Sequence, residues 1–279
     1  MEFAARLLRS RWAVLGLTIL AVVGLCALGG ADIAPFDPDD QDIMARLLRP
    51  GAEGHWLGTD ALGRDVLSRV IVGARVSLLI GVLAMAVSAI VGVTLGLLAG
   101  IEDRFLGRAL MALTDMQLAV PFLVLALAVV AVLGASLFNL VLVLGLTNWV
   151  QYVRVVRAEV LVLRERDFIQ ATRAIGASTP RIVLRHLLPN VASSVVVISS
   201  LLVAKMILFE SSLSYLGLGV PPDTPTWGGM IADGRDYIST AWWVVAMPGS
   251  ALFLTVIGVN LVGDHLRDLL DPTLKDLDG

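Results

Sequence analysis

From residue 116 to residue 153 the chain runs 38 positions without a charged side chain. As one helix rising 1.5 Å per residue this would be roughly 57 Å long, nearly twice the ~30 Å hydrocarbon core of a bilayer. The stretch must therefore fold back on itself. Its one cluster of turn formers is Gly-Ala-Ser-Leu-Phe-Asn at 134–139, and the reversal is placed there. A span at about 109–133 results, with Pro121 inside it as a kink, and another at about 137–153. Composition agrees with a polytopic membrane protein. The 279 residues are 57% hydrophobic and only 16% charged, against about 25% charged in soluble domains. Mean hydropathy is +0.84.

Four further apolar runs, at about 12–31, 76–101, 191–215 and 237–263, bring the expected total to six transmembrane helices in an all-α chain. The basic start followed by an apolar run looks like a signal peptide. However, the run is long enough to span, and no small-x-small cleavage site leads into a soluble domain. It is read as an uncleaved first helix. The 76–101 span carries small residues at every fourth position: Ala84, Ser88, Gly92, Gly96 and Gly100. Such a stripe lets a second helix approach closely, and packing within this chain is preferred to a subunit contact. Between the first two spans lies an acid-rich segment. Pro35, Pro38 and Pro50 argue against regular structure in its first half, while 61–75 reads as a helix along the surface. A loop at 217–235 carries Pro221, Pro222, Pro225 and Trp227, and Pro248 falls inside the last span.

Charge distribution sets the orientation. With six spans both termini share a side, and that side holds fourteen of the 21 Lys and Arg residues: Arg6, Arg9, Arg11, Arg104, Arg108, the seven arginines of 154–185, Arg267 and Lys275. The opposite side has six, namely Arg46, Arg49, Arg64, Arg69, Arg75 and Arg235, and Lys205 lies within a span. Both termini are therefore expected in the cytoplasm. The acidic segment and the Trp227 loop are expected to face outward.

On the side expected to be cytoplasmic, residues 170–190 form a polar, Arg-studded interruption between apolar runs. It reads as two short helices with a break. Gly176 supplies the left-handed residue that ends the first. Thr179 is placed as the N-cap of the second, with Pro180 at its first helical position. Pro189 stops that helix or sets the start of the next span. Arg181 and Arg185 are one turn apart on one face, and Phe168, Thr172 and Ile175 share another. By its residues alone the segment fits either an amphipathic helix lying on lipid headgroups or a docking element for another protein.

The chain carries no catalytic or nucleotide-binding signature. No G-x-x-x-x-G-K-[ST], G-x-S-x-G or H-E-x-x-H occurs, and there are only two lysines. His55, His186 and His265 are far apart, so no metal site is expected. Cys26 reads as a small apolar residue. The chain is not expected to be an enzyme, and uphill transport would draw on another subunit or on an ion gradient. Lys205 and Glu210 are intramembrane charges. Lys205 lines a path or, preferably, pairs with another helix. Glu210 is placed nearer the outer surface, where water could solvate it. Asp115 reads as a solvated or paired helix-end residue.

Gln170-Ala171-Thr172, then Gly176, then Leu188-Pro189 resembles the EAA loop of bacterial ABC-importer permeases: Glu-Ala-Ala, three residues, Gly, and a later Leu-Pro. Other stretches resemble the C-type subunit of the dipeptide/oligopeptide/nickel permeases. They are His55-Trp56-Leu57-Gly58-Thr59-Asp60-x-Leu62-Gly63-Arg64-Asp65-Val66-Leu67-Ser68-Arg69, Gly73-Ala74-Arg75-Val76-Ser77-Leu78, Leu213-Ser214-Tyr215-Leu216-Gly217-Leu218-Gly219, Trp227-Gly228-x-Met230-Ile231-x-Asp233-Gly234-Arg235 and Gly263-Asp264-x-Leu266-Arg267-Asp268-x-Leu270-Asp271-Pro272.

The resemblance implies a type I ABC-importer permease fold in the bacterial inner membrane. It implies an N-terminal region 1–72, a permease core 73–265 with its coupling loop at 159–190, and a cytoplasmic tail 266–279. Implied partners are a B-type sister permease, two cytoplasmic ATPase subunits that hold the ATP and Mg, and a periplasmic or lipid-anchored substrate-binding protein. No nucleic acid and no cofactor in this chain are implied. The ATPase would meet Gln170, Ala171, Gly176, Ala177, Thr179, Pro180, Arg181, Arg185 and Pro189. Trp227 would meet the binding protein or cap the pathway. Two residues depart from the pattern: Gln170 replaces Glu and Thr172 replaces Ala, so an ion pair from position 170 is lost. The alternatives are an ion-driven secondary transporter, or an ABC permease for nickel chelates or glutathione-like solutes.

Overall fold

The 36-residue helix Val66–Ile101, α2, is the axis against which the other spans pack. Its neighbours are α1 (Arg11–Gly29), α5 (Leu137–Asn148), α6 (Val150–Leu163) and α8 (Thr179–Tyr215). The remaining α-helices among the described residues are α3 (Phe105–Ala119), α4 (Phe122–Leu133), α7 (Asp167–Ala174), α9 (Trp227–Gly234) and α10 (Trp243–Leu270). This structure, a computed structural model, describes residues 10–102, 104–221 and 223–270. Of the residues named above, Arg6, Arg9, Pro222, Asp271, Pro272 and Lys275 lie outside the described residues, as does most of the C-terminal tail.

The small-residue stripe explains why α2 is central. Ala84, Ser88, Gly92, Gly96 and Gly100 are all buried. A Cβ on Gly92 would sit 2.5 Å from Tyr152 Cβ, one on Gly96 2.8 Å from Val156 Cβ, and one on Gly100 2.6 Å from Val160 Cβ. The stripe is thus the seat of α6, packed within this chain as expected. Ser88 Oγ donates to the Gly145 carbonyl at 2.7 Å, tying α2 to α5. Without a solvent-driven hydrophobic effect between spans, such close contact and interhelical hydrogen bonding hold the helices together.

Among the described residues five helices are long and apolar enough to cross a membrane: Arg11–Asp32, Val66–Ile101, Leu137–Leu163, Thr179–Tyr215 and Trp243–Leu269. The sixth is the pair α3 and α4, if counted as one span. This pair bends by 88°, much more than a proline kink. Val120 (φ −96°, ψ 122°) and Pro121 (φ −56°, ψ 128°) are both extended. Proline excludes its predecessor from the helical region and lacks an N–H to donate, so two residues leave the helix together. The reversal at 134–139 is as expected. Gly134 has φ +83°, Ser136 Oγ caps Asn139 N–H at 3.1 Å, and Asn139 Nδ2 donates to the carbonyls of Leu133 and Gly134 at 2.9 and 3.0 Å.

Several expected boundaries move, and the fourth span, expected to end near 153, continues through α6 to Leu163. No separate surface helix occupies 61–75; α2 starts at Val66, where Asp65 Oδ2 accepts from Ser68 N–H at 2.7 Å, and continues into the span. Residues before it are held in a turn by Gly63 (φ +78°), which presses so closely on Asp42 that a Cβ would lie 1.7 Å from its carbonyl oxygen. The fifth span starts at Thr179 rather than 191, and the last starts at Trp243 rather than 237 and runs to Leu270. Residues 235–242 are instead a 3-10 turn, Arg235–Tyr237, and its exit.

Candidate functional site

The polar interruption is an elbow between α6 and α8. Its inner face is apolar. Ile169, Ile182, Leu187 and Val191 pack with Leu97, Val156 and Val160 into one buried cluster. Arg164 Nη1 donates to the Gly100 carbonyl at 3.1 Å, tying the elbow to the end of α2. The outer face is open: Gln170, Ala171, Gly176, Thr179, Pro180, Arg181, Arg185 and Pro189 are exposed, with Ala177 half-buried. Three large apolar side chains stand out from it, Ile175 at 85%, Leu184 at 66% and Phe168 at 45% exposure. A surface of this kind, apolar knobs among arginines, suits a protein cleft.

The break is a Schellman motif. Gly176 N–H donates to the Arg173 carbonyl at 2.9 Å and Ala177 N–H to the Thr172 carbonyl at 3.2 Å, which satisfies the last carbonyls of α7. Gly176 adopts φ +82°, and a Cβ there would meet nothing within 4 Å, so conformation and not space reserves the position for glycine. The N-cap position of the next helix lies one residue earlier than expected and carries no side-chain capping bond. Ser178 is the N-cap (φ −70°, ψ 149°), Thr179 is the first helical residue, and Pro180 occupies the first turn. Neither is the second helix short. It passes through Pro189 without stopping, by way of a π turn at Val183–Leu187, where Leu188 N–H reaches back to the Val183 carbonyl. Proline lacks the N–H that would bond in regular register and its ring crowds the carbonyl four residues back. The wider turn absorbs both defects.

Gln170 Nε2 donates to the Glu165 carbonyl at 3.3 Å. The side chain thus braces its own elbow, a bond that an ionised glutamate could not donate.

The intramembrane charges separate. Lys205 is half-buried, its Nζ 5.3 Å from the Phe209 ring centroid. Among the described residues no carboxylate pairs with it, so the expected helix-to-helix ion pair is not formed within this chain. Glu210 is not solvated at the surface, as a place near the span end would suggest. It is fully buried and accepts from Ser214 Oγ at 2.7 Å and Ser211 Oγ at 3.3 Å. Asp115 pairs with Arg154 at 2.7 Å on the exposed surface.

At the far end of α8 the acid-rich segment folds into a cap. Asp60 Oδ2 pairs with Arg64 Nε at 2.7 Å and lies 3.8 Å from Arg69 Nε. Arg69 also donates to the Pro38 carbonyl at 3.2 Å. His55 Nδ1 meets Asp65 Oδ1 at 2.9 Å while its ring stacks on Phe36 at 4.4 Å. Thr59 receives Leu48 N–H at 2.8 Å and donates to the Ala45 carbonyl. Trp243 Nε1 bonds the Thr59 carbonyl at 3.2 Å, fastening the cap to α10. The motif's acids and bases stand four apart, Asp60 with Arg64 and Asp65 with Arg69. That spacing is a visible signal of pairing, but only Asp60 and Arg64 pair directly.

Asp233 of α9 faces this network, 3.7 Å from Arg64. Burial raises its pKa above the usual carboxylate value, outweighing the opposing pull of Arg64 and Arg69. Trp227 offers no contact to an external protein. It is 1% exposed, with Nε1 donating to the Val70 carbonyl at 3.0 Å and its backbone N–H to Ser77 Oγ at 3.2 Å. The indole is a wedge between α9 and α2, because an amphipathic ring buries its apolar body once its N–H has a partner.

The chain matches two known families. The family described as "Binding-protein-dependent transport system inner membrane component" matches residues 92–276, and "N-terminal TM domain of oligopeptide transport permease C" matches residues 1–50. The Di/tripeptide transport system permease protein DppC of Pseudomonas aeruginosa (strain UCBPP-PA14) is 44% identical, the match covering 99% of this chain and 92% of the relative. The Nickel transport system permease protein NikC of Escherichia coli (strain K12) is 41% identical over 96% of each. Among solved structures, the inward-facing MetNI methionine ABC transporter matches with a TM-score of 0.59, covering 73% of this chain and 96% of that one. At 18% identity this likeness concerns the fold.

Proposed function

The chain belongs to the family of binding-protein-dependent transport system inner membrane components, and from that premise we propose that it forms half of the pathway of a di- and tripeptide importer. It is a multi-pass inner-membrane permease subunit of an ABC importer and not an enzyme. The importer's partner permease, ATPase subunits and binding protein are separate chains. In our reading the second permease is a B-type sister, and two ATPase subunits bind ATP and Mg on the cytoplasmic side. Residues 1–72 are an N-terminal region, 73–265 the permease core and 266–279 a cytoplasmic tail. Both termini and the elbow face the cytoplasm, and the cap faces outward. The 44% identical di/tripeptide relative supports the peptide assignment. Family membership leaves no ground for the ion-driven alternative.

The observation that carries the coupling reading is the continuity of α8. One helix joins the exposed elbow at Thr179 to the cap at Tyr215, so a displacement received by Arg181, Leu184 and Arg185 moves the span as a rod, and one received by α7 at Gln170 reaches it through the buried contact cluster of Ile169 and Ile182. The Schellman break sets the angle at which that surface is presented. Gly176→Val tests it. A branched residue at φ +82° costs about 1–2 kcal/mol of local strain, while its Cβ meets nothing within 4 Å. In proteoliposomes holding the full importer, peptide uptake and binding-protein-stimulated ATP hydrolysis are expected to fall together. Wild-type values for both would remove the coupling role. Uptake of a nickel chelate or glutathione by the unaltered importer, in place of dipeptides, would replace the substrate assignment.

A further inference from the structure

At the end of α8 opposite the elbow lies a cavity of about 380 Å³, walled by the α8 terminus, the loop after it and α9. Its volume falls in the range of small-molecule sites. Two of its wall residues, Asp233 and Arg235, carry opposite charge and are only partly used within the chain. The nearest cation to Asp233 is Arg64 at 3.7 Å, longer than a direct hydrogen bond, and the Asp233 side chain stays 50% exposed. Arg235 reaches Asp236 through Nε at 3.5 Å with the side chain 56% exposed. Among the described residues no acceptor bonds its two terminal nitrogens. The hydroxyls in the wall are committed elsewhere: Ser214 donates to Glu210 at 2.7 Å, and Thr226 receives Gly229 N–H at 3.0 Å. Arg69, at the cavity's inner side, is held by Pro38, Asp39 and Asp60. Asp233 and Arg235, each with unused bonding capacity, thus line one space together with Tyr215.

We propose that this cavity receives a small zwitterion of short-peptide size, Asp233 taking its ammonium group and Arg235 its carboxylate. The paired charges reject a simple cation or anion, since each would leave one wall charge desolvated and unmatched. The site also lies where its occupancy can be read by the motor. Ser214, Tyr215, Leu216 and Gly217 in its wall belong to α8 or follow it directly, and α8 begins at the elbow. This assignment rests on the peptide-importer reading for its ligand class.

The test is equilibrium binding of radiolabelled dialanine to the assembled permease–ATPase complex in nanodiscs, with the binding protein left out. Saturable binding is expected, competed by unlabelled dialanine but not by N-acetyl-dialanine or dialaninamide. Asp233→Asn and Arg235→Gln should each weaken it about tenfold, as for loss of one charge-assisted hydrogen bond. Asp223→Asn, outside the cavity wall, should leave it unchanged. Non-saturable binding, equal competition by the blocked peptides, or indifference to both wall substitutions would overturn the proposal. The importer reading fails separately, by absence of ATP hydrolysis stimulated by the dialanine-loaded binding protein.

Discussion

Glu210 and Lys205 show how little a residue's type says about its use inside a membrane. Both are charged side chains on α8, five positions apart. One is sealed against two serine hydroxyls and the other lies beside an aromatic ring. The glutamate's place near the end of the span points to water. What buries it is α9, whose Gly228 lies so close to α8 that a Cβ would come 2.4 Å from Ser211 Cα. Glu210→Gln keeps the shape and most of the hydrogen bonding, so its thermal midpoint should stay near wild type. Glu210→Ala strands two buried hydroxyls and opens a void, a loss of about 1–3 kcal/mol that should appear as a lower midpoint in detergent. An alanine variant that melts like wild type yet fails to transport would move Glu210 from a structural role into the pathway.

At the scale of elements, the α2 stripe was legible because only small residues recur at four-residue spacing, and helix geometry turns that spacing into a face. Its partner was not legible, since several apolar helices could have used it. The structure places α6 there, with Tyr152 and Val156 over the glycines. Gly96→Leu is expected to force α2 and α6 apart, at about 1–3 kcal/mol or more of overpacking, and to lower the yield of folded permease. Gly24→Ala, where nothing lies within 4 Å, should be neutral or slightly stabilising through helix propensity. Equal yields from the two variants would contradict the packing account. The bend at Pro121 and the π turn before Pro189 come from one rule with two results. Where both the proline and its predecessor turn extended, the helix breaks. Where the preceding turn widens, the helix carries on.

For the whole molecule, the cap links three distant parts of the chain, and its electrostatics set a pH response. Asp233 has a raised pKa, so the folded cap takes up its proton at higher pH than the unfolded chain does. Its contribution therefore favours folding more as pH falls from that raised value toward the ordinary one, and is least favourable at neutral pH. The stability of Asp233→Asn relative to wild type should accordingly be greatest near neutrality and decline through the acid range, as followed by melts at several pH values. The opposite trend would show that the charged form is the one the cap prefers. Orientation is checked by labelling with a membrane-impermeant maleimide after Cys26, the one native cysteine, is replaced by alanine. Asp223→Cys should react in spheroplasts, and Ser178→Cys only after permeabilisation. The reverse pattern would invert the topology.

Short-range rules suffice for the membrane class, the reversal at 134–139, the glycine break at Gly176 and the polar elbow between two spans. Hydrocarbon thickness, backbone conformation and the location of charge can all be read along the chain. Packing settled what those rules leave open. It turned Trp227 from an outward contact into a wedge, sealed Glu210, bent the third span to 88° and carried α8 through Pro189. It also brought Asp60, Arg64, Arg69 and Asp233 together across 174 positions of sequence. Those outcomes depend on which surfaces meet. Local spacing cannot encode this, because many apolar faces are chemically interchangeable until close packing and the pairing of buried charges select among them.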